Sequence, residues 1–335
     1  MSLVKNIFLN FSKKIPVGIL KKISPIDIYL PYQHLIREAH TSYISHLYPF
    51  KNKKQFETDL DYLLKNFRIA DIDQLVSYVK RKGELTPNQF LLTFDDGFKE
   101  IATVIAPLLY QKGIPAIFFL NNDFIGNNQL FYRLKISLLI EELSNKPQLA
   151  SVFKKYFENS NDLNSILNQL KKTNQFNQSI LDNIANEIGL DFDDFLKSEK
   201  PFATKEQIEE IVKMGFYVGG HSLSHPYFEL LSEAEQYRQA VDSAKRIANE
   251  FHQKYTLFAF PHYDNKIKTK TIQKILNGGV DVIFGIQNQL PELQLRMLHR
   301  FNAERPNITM EKQIKAEMLY AALLKRAGKF SVKRN

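Results

Sequence analysis

Runs of β-favouring apolar residues alternate with stretches of helical periodicity along most of this chain. The segment DIYLPYQHLI (27–36) is interpreted as a first strand, and apolar residues in KKQFETDLDYLLKNF (53–67) recur on one helical face. Further strands are predicted at Gln89–Asp95, Ile114–Asn121, Phe216–His221, Thr256–Pro261, Asp281–Ile286 and Leu293–Phe301. Helices are predicted between them at Lys99–Lys112, Lys205–Met214, Ser232–Phe251 and Lys268–Leu276.

Signals at the helix ends support these assignments. Thr204 and Ser232 are each followed three residues later by Gln or Glu, a spacing that fits a capping box. Gly113 and Gly215 follow predicted helix ends, where a left-handed residue is common. Strand and helix alternating six or seven times is typical of a mainly parallel sheet, either open or closed as a barrel.

The alternation lapses between residues 127 and 200. Asn-rich sequence there keeps leucine and isoleucine at helical spacing, for example in NDLNSILNQLKKTNQFNQ (161–178). We interpret this segment as a helical insertion. It is expected to be a packed appendage, a lid over a site or a surface for a partner.

Residues 3–24 are predicted to form a basic amphipathic helix. Its lysines, Lys13-Lys14 and Lys21-Lys22, interrupt the apolar residues before a signal-peptide core or a membrane span could form. The pattern therefore predicts a cytoplasmic protein. The helix is expected to pack on its own domain, and the alternative is a peripheral contact with a membrane surface.

Composition narrows the partners and the kinds of site. The net charge of +9 comes from scattered lysines and arginines without a nucleic-acid motif, so no nucleic-acid partner is predicted. With no cysteine in 335 residues, disulfides, thiolate metal sites and cysteine nucleophiles are excluded. A bound metal would have to be held by His, Asp or Glu.

Unusual polar groups occur where predicted strands end. The stretches are LLTFDDGFKE (91–100), YVGGHSLSHPYF (217–228), LFAFPHYDNK (257–266) and LRMLHRF (295–301). Each alone fits a turn or an ordinary histidine. Together they indicate a site, because ligand sites of α/β proteins collect at the carboxyl ends of the strands.

The residue types in these stretches fit a hydrolytic metal site. Two neutral histidines and one carboxylate leave an open position for water, and Asp96, His221 and His225 can supply them. Asp95 then remains to take a proton as general base. As strand neighbours, Asp95 and Asp96 are expected to point in opposite directions. A nearby dication would favour the ionised form of both.

The motifs TFDDG (93–97) and HSLSHP (221–226) resemble those of the polysaccharide deacetylases, also called carbohydrate esterase family four or the NodB-homology fold. The resemblance extends from about Phe56 to Phe301 apart from the insertion. It implies a deformed (β/α) barrel that removes acetyl groups from N-acetylated sugars with a divalent metal, most often zinc. It also implies that Asp95 is the base and that Asp96, His221 and His225 are the metal ligands.

Three positions depart from the family pattern. In FAFPHYDNK, His262 replaces the tyrosine whose backbone N–H helps to bind the oxyanion, a role that a backbone donor can keep. The arginine of the third motif and the family's tryptophan have no counterpart here.

The resemblance also implies a histidine that acts as general acid, and His299 is the candidate for it. Its neighbour Arg300 is expected to bind an acidic substrate or to hold a catalytic carboxylate.

These observations divide the chain as follows: an N-terminal segment with the basic helix and first strand (1–50), the first part of the barrel (51–126), the helical insertion (127–200), the second part of the barrel (201–310) and a basic C-terminal helix (311–335).

The expected function is metal-dependent removal of acetyl groups from an N-acetylated amino sugar in a polysaccharide, glycolipid or saccharide precursor. A non-catalytic glycan-binding protein on the same fold and a small-molecule amide hydrolase remain alternatives. A cytoplasmic site of action, with the protein next to a membrane, would favour a lipid-linked or nucleotide-linked sugar as substrate.

Overall fold

The computed structural model describes residues 3–157 and 162–334. Residues 1–2, 158–161 and 335 belong to the predicted N-terminal segment, insertion and C-terminal helix, and they lie outside the described residues. The strands are β1 (Ile28–Tyr29), β2 (Pro31–Gln33), β3 (Arg68–Ile69), β4 (Gln89–Phe90), β5 (Leu92–Phe94), β6 (Ala116–Leu120), β7 (Tyr217–Gly220), β8 (Leu257–Ala259), β9 (Val282–Gly285), β10 (Met297–His299) and β11 (Phe301–Asn302).

The α-helices cover the outside of these strands and fill the insertion. They are α1 (Leu3–Ser12), α2 (Val17–Ile23), α3 (Lys53–Asn66), α4 (Ile72–Val79), α5 (Ala106–Gln111), α6 (Tyr132–Asn145), α7 (Ala150–Tyr156), α8 (Leu163–Lys172), α9 (Ser179–Ile188), α10 (Phe192–Glu199), α11 (Lys205–Lys213), α12 (Glu233–Glu250), α13 (Thr269–Asn277) and α14 (Met310–Arg326).

Eight strands form one parallel sheet in the order β10-β9-β8-β7-β6-β5-β2-β11. Its two end strands, β10 and β11, are separated along the chain only by Arg300. The Arg300 N–H donates to the Gly285 carbonyl in β9, whereas the Phe301 N–H donates to the Leu30 carbonyl next to β2. One bent strand therefore joins both ends of the sheet, and the predicted (β/α) barrel is confirmed. A small sheet, β1-β4-β3, extends it at the amino ends of two strands.

Five of the eight barrel strands, β5, β6, β8, β9 and β10, are buried at every residue, as expected of a parallel sheet covered by helices. In β6, for example, Ile117 and Phe119 pack with apolar residues of β8 and β9, in the barrel interior. The alternate residues Ala116, Phe118 and Leu120 pack against apolar residues of the outer helices. Most of the strands therefore read as apolar runs, and the polar residues that surround the cavity follow the strand ends.

Several helix ends follow the predictions. Thr204 and Gln207 exchange the two hydrogen bonds of a capping box at the start of α11. Ser232 caps α12 by accepting the N–H of Glu235. Gly113 and Gly215 both have left-handed φ angles, of 64° and 91°.

Other predicted boundaries are wrong, for local backbone reasons. The single helix at 3–24 is two helices, because Pro16 precedes α2 and cannot donate the hydrogen bond that would continue α1. The helix at 99–112 begins with a π-helical segment, Ile101–Ile105, just before Pro107. The strand predicted from residue 293 starts at Met297, after the left-handed Arg296. The C-terminal helix ends at Arg326.

Five helices, α6 to α10, occupy the segment predicted as a helical insertion. They build an apolar core of their own, which also takes in Leu35, Tyr43 and Ile44 from the loop after β2. Phe202 connects this core to the barrel by stacking on Phe98, with ring centroids 5.5 Å apart. The predicted domain boundaries themselves stay predictions.

The helices α1 and α2 pack on α14. Leu9 and Leu20 are buried there, and the rings of Phe8 and Tyr320 meet edge to face at 5.2 Å. This is the packing expected of an N-terminal helix on its own domain. In the described part of the chain, every helix is too short or too polar to cross a membrane.

Candidate active site

The loops that follow the barrel strands surround one cavity of about 490 Å³. Its walls include Asp95 after β5, His221 and His225 after β7, and His262 after β8. Parallel strands bring their carboxyl ends to the same edge, which explains why residues far apart in sequence meet here. Three of the four polar stretches identified in the sequence therefore contribute to one cavity.

Asp95 and Asp96 follow β5 and are both buried, with 3% and 1% of their surface exposed. Asp96 has a left-handed backbone, with φ of 71°, so the chain already turns at this residue. The expectation that the two side chains diverge as strand neighbours is therefore wrong in its cause. The turn at Asp96 sends its carboxylate towards the histidines, while Asp95 stays against Arg300.

Arg300 holds Asp95 through two parallel hydrogen bonds. Its Nη1 donates to Oδ1 at 2.6 Å, and its Nη2 donates to Oδ2 at 2.9 Å. Burial alone would raise the pKa of Asp95, but the charge and hydrogen bonds of Arg300 together with the nearby His221 and His34 outweigh burial and hold this pKa below its usual range. Arg300 is itself fully buried. Of its two expected roles, the structure shows the contact with a carboxylate and leaves the guanidinium behind Asp95, away from the cavity.

His221 and His225 present their Nε2 atoms to Oδ1 of Asp96, at 3.4 and 3.1 Å. The Nδ1–H of His221 donates to the carbonyl of Ala259 at 2.9 Å, so the lone pair of this imidazole is at Nε2. Burial lowers the pKa of His221 to about 4, and the ring is neutral at neutral pH. His225 lies in a loop after β7, and its backbone is left-handed, with φ of 56°.

These three side chains fit a divalent cation. Ligand atoms bound tetrahedrally at about 2.0–2.1 Å lie about 3.3 Å from one another, close to the separations measured between Asp96 and the two histidines. Within the described residues, both oxygens of Asp96 and Nδ1 of His225 are buried without a hydrogen-bond partner. Buried polar atoms are rarely left unpaired. The structure thus brings the predicted ligands together in a cluster that could hold a metal.

His34 also lines the cavity and was not identified from the sequence. Its Nδ1 lies 2.6 Å from Oε2 of Glu304, and its Nε2 lies 3.9 Å from Oδ2 of Asp96. Burial would lower the pKa of His34, but Glu304 and Asp96 outweigh it and raise this pKa to about 9. The signal was available, because His34 follows β2 just as the other polar residues follow their strands.

His262 forms part of the cavity wall. Its ring stacks on Tyr227 with centroids 3.9 Å apart and meets His225 edge to face at 4.4 Å. Burial, together with the neighbouring His225, holds the pKa of His262 well below its ordinary value, so the ring is neutral. The residue is therefore in the predicted place.

The structure does not bring His299 to this cavity. The side chain is fully buried, its Nδ1 accepts the N–H of Gln287 at 3.1 Å, and its Nε2 lies 2.8 Å from Oε2 of Glu292. Asp264 lies 3.9 Å from Nδ1. Both ring nitrogens are thus engaged by the protein, which leaves neither available to a ligand.

The insertion contributes to the cavity through Arg133, at the start of α6. Its Nη1 donates to the hydroxyl of Tyr227 at 2.8 Å, and its guanidinium lies over the ring of Tyr48 at 5.6 Å. Tyr48 in turn stacks on His34, with centroids 4.5 Å apart. The insertion is therefore part of the wall, and no local sequence pattern marks Arg133 or Tyr48 for this role.

Comparisons with known proteins agree with this geometry. A family model described as polysaccharide deacetylase matches residues 82–281. No curated protein sequence matches the chain.

Among solved structures, the deacetylase PplD of Streptococcus pyogenes, determined in complex with acetate, has 14% identity and a TM-score of 0.56, with 88% of this chain and 99% of that chain covered. IcaB from Ammonifex degensii has 16% identity and a TM-score of 0.55 over 88% and 98% of the two chains. A de-N-acetylase from Aggregatibacter actinomycetemcomitans has 13% identity and a TM-score of 0.54 over 87% and 99%. At these identities the likeness shows the fold.

The family model covers more than half of the chain and includes both aspartates and the two histidines that face them. The barrel, the motifs and the match thus agree. The chain belongs to the polysaccharide deacetylase family.

Proposed function

We propose that this chain is a metal-dependent hydrolase that removes the acetyl group from an N-acetylated amino sugar of a polysaccharide, glycolipid or saccharide precursor. The observation that carries the proposal is the cluster of Asp96, His221 and His225, beside a cavity that Asp95 and the two histidines line. Membership of the deacetylase family supports the reaction. The neighbours described as deacetylases support the same chemistry.

Asp96, His221 and His225 would hold the divalent cation, and their two nitrogens and one oxygen suit zinc. A bound cation supplies Lewis acidity, which activates water and polarises an acyl carbonyl. His221 is prepared for this role because its Nδ1–H donates a hydrogen bond to the Ala259 carbonyl, which leaves the Nε2 lone pair free, and burial keeps the ring neutral.

Asp95 acts as general base in this proposal. Arg300 fixes the carboxylate with two hydrogen bonds and keeps it ionised, so that it can accept a proton from the attacking water. Oδ2 of Asp95 lies 3.9 Å from Nε2 of His221, which puts the base next to the ligand cluster without making it a ligand.

We assign the proton donor for the departing amine to His34 rather than to His299. His34 lines the cavity, and Glu304 orients it through Nδ1, which leaves Nε2 on the side of Asp96. Glu304 is held in turn by the side chain of Asn302 at 2.6 Å. His299 has no such access to the cavity, because Gln287 and Glu292 occupy its two nitrogens.

The backbone N–H near His262 is proposed to donate to the oxyanion. Position supports this role, since His262 follows β8 at the carboxyl edge and lines the cavity. A backbone donor is independent of the side chain, so histidine can replace the tyrosine found in the family.

The reaction is tested with metal-loaded protein and an N-acetylglucosamine oligomer. Release of acetate is expected, and chelation should abolish it. Asp95→Asn should lose activity and keep its metal, whereas Asp96→Asn or His225→Ala should lose the metal. Equal metal loss in all three variants would contradict the separation of roles. A glycan-binding protein would bind the oligomer and release no acetate, and an amide hydrolase would prefer small amides in a mass-spectrometric substrate panel.

The place of action is a separate proposal: the cytoplasm, next to a membrane, on a lipid-linked or nucleotide-linked sugar. A second cavity, of about 570 Å³, shares Pro49 and Arg305 with the catalytic cavity and reaches Leu9 and Lys13 beside α1. Phe11, Ile19 and Ile23 of the N-terminal helices are exposed, at 70%, 53% and 50%. Apolar side chains near lysines favour contact with an anionic lipid surface.

Flotation with vesicles of phosphatidylglycerol and phosphatidylcholine tests the membrane contact. The chain should float with the anionic vesicles, and a variant with serine at positions 11, 19 and 23 should not. Recovery of the native protein outside the cytoplasm on fractionation would overturn this part and leave the reaction untouched.

A further inference from the structure

A second cluster of potential metal ligands lies outside the catalytic cavity. His40 and His46 belong to the loop between β2 and α3, and Glu141 lies on α6. The Nε2 atoms of His40 and His46 are 2.9 and 2.7 Å from the same oxygen, Oε2 of Glu141. We call these three residues the clasp site, because they connect the loop to the insertion.

The donor set of the clasp site is suited to a divalent cation. Two imidazole nitrogens and one carboxylate oxygen, all within 4.8 Å of one another, are a ligand set that zinc accepts. The side chains of His40, His46 and Glu141 are 57%, 24% and 23% exposed, which leaves room for water as a further ligand. Burial would raise the pKa of Glu141, but the two imidazoles lower it below its ordinary value, so the carboxylate is ionised.

The separations require only a small adjustment. Zinc ligands lie about 3.3 Å apart in a tetrahedron, so each Nε2 would move outward from Glu141 by about half an ångström. Partly exposed side chains can make that movement by small rotations. Without a cation, each imidazole can instead donate an Nε2–H hydrogen bond to the carboxylate of Glu141. Such a pair of hydrogen bonds is the competing explanation.

The clasp site adjoins the wall of the catalytic cavity on both sides. Leu47, Tyr48 and Pro49 follow His46 directly and line the cavity. On the other side, α6 carries both Glu141 and the wall residue Arg133, eight residues and about 12 Å apart along the helix. A cation joining the loop to α6 would therefore limit the movement of Tyr48 relative to Arg133, two residues that already contact each other.

We propose that His40, His46 and Glu141 form a second divalent-metal site, suited to zinc, which ties the loop after β2 to the insertion and fixes one wall of the catalytic cavity. The site is separate from the ligands Asp96, His221 and His225, and it does not depend on the reaction assigned to them.

Metal stoichiometry tests the proposal. The full chain is stripped with chelator, reloaded with Zn²⁺, dialysed and measured by inductively coupled plasma mass spectrometry. Wild type should retain two equivalents. His46→Ala and Glu141→Gln should each retain one, as should His225→Ala, while the double variant His46→Ala/His225→Ala retains none. His252→Asn removes an exposed histidine elsewhere and should leave two equivalents.

Hydrogen exchange measures the effect on the loop. In His225→Ala, where only the clasp site remains, Zn²⁺ should slow exchange at residues 40–48 at least threefold, and in the double variant it should have no effect. Equal zinc content in wild type, His46→Ala and Glu141→Gln would overturn the proposal, as would a His225→Ala variant that binds no zinc. A wild-type chain that retains two equivalents of zinc but releases no acetate would count against the catalytic proposal alone.

Discussion

Asp95 and Asp96 are neighbours with different contacts because the backbone turns between them. Asp95 is bound by Arg300, and Asp96 faces His221 and His225. Both carboxylates stay ionised in a buried site only because each has cationic or polar neighbours. At this scale His34, which the sequence did not single out, lines the cavity, whereas His299, the expected general acid, is enclosed by protein.

Substitution of these two histidines tests the proposal that His34, and not His299, is the proton donor. His34→Gln should lower kcat about 10²- to 10⁴-fold, the usual contribution of a positioned acid, without changing the metal content. His299→Gln should retain kcat but reduce the free energy of unfolding by about 1–3 kcal/mol, because a buried hydrogen-bonded group loses a partner. Steady-state kinetics and urea unfolding of both variants check this. A kcat loss in His299→Gln with normal kinetics in His34→Gln would reverse the assignment.

Among the elements, β7 packs closely against α12 at Gly220 and against its neighbouring strands at Gly219. A Cβ on Gly220 would lie 2.6 Å from the backbone nitrogen of Ala244 and 2.7 Å from Oγ of Ser243, both in α12. A Cβ on Gly219 would meet Phe119 at 2.9 Å. Because His221 follows directly, this close packing also determines where the first histidine of the site lies.

Gly220→Ala is therefore expected to lower the free energy of unfolding by about 1–3 kcal/mol, as overpacking does when backbone must move. Urea denaturation at pH 7 measures it. Gly18→Ala is the control, since its Cβ would meet nothing within 4 Å in α2. There alanine should stabilise by about 0.5–1 kcal/mol, because glycine is the poorer helix residue. If Gly220→Ala and Gly18→Ala changed the free energy of unfolding equally, the close packing of β7 on α12 would not explain the need for glycine at position 220.

At the scale of the whole molecule, the barrel is closed by one strand and the chain is anchored near its last described residue. The side chain of Arg334 is only 2% exposed and pairs with Asp264 and with Glu292, the latter at 2.6 Å. Burial would raise the pKa of both carboxyl groups, but His299 and Arg334 lower it below the ordinary range. This ion-pair cluster connects the segment after α14 to the loops following β8 and β9.

The cluster predicts a pH dependence of stability. Carboxylates with a lowered folded pKa contribute stability that is complete above their unfolded pKa of about 4 and is lost as the pH falls through the folded value. Arg334→Ala should thus reduce the free energy of unfolding by about 1–3 kcal/mol at pH 7, and by less at pH 3. Urea unfolding at both values tests this, with the exposed Lys329→Ala as control for charge. If Arg334→Ala lowered the free energy of unfolding more at pH 3 than at pH 7, the stabilising role of the cluster would be contradicted.

The local patterns of the sequence predicted the alternating elements, several helix caps and the polar stretches of the candidate site. Each of these depends on residues close together in the chain: an apolar run, a capping pair three residues apart, or a polar residue where a strand ends. TFDDG and HSLSHP are such local features, and they were sufficient to indicate the family and the candidate metal ligands that meet beside the cavity.

By itself, then, the sequence determined the α/β class, the family and the short motifs that meet at the carboxyl edge, because these are encoded in neighbouring residues. Only the tertiary structure decided which distant side chains contact each other. Arg300 reaches Asp95 across 205 residues, and His34 meets Glu304 across 270. These contacts arise because one bent strand closes the barrel and brings its end beside β2. Strand order and closure are properties of the folded sheet, which no local pattern specifies.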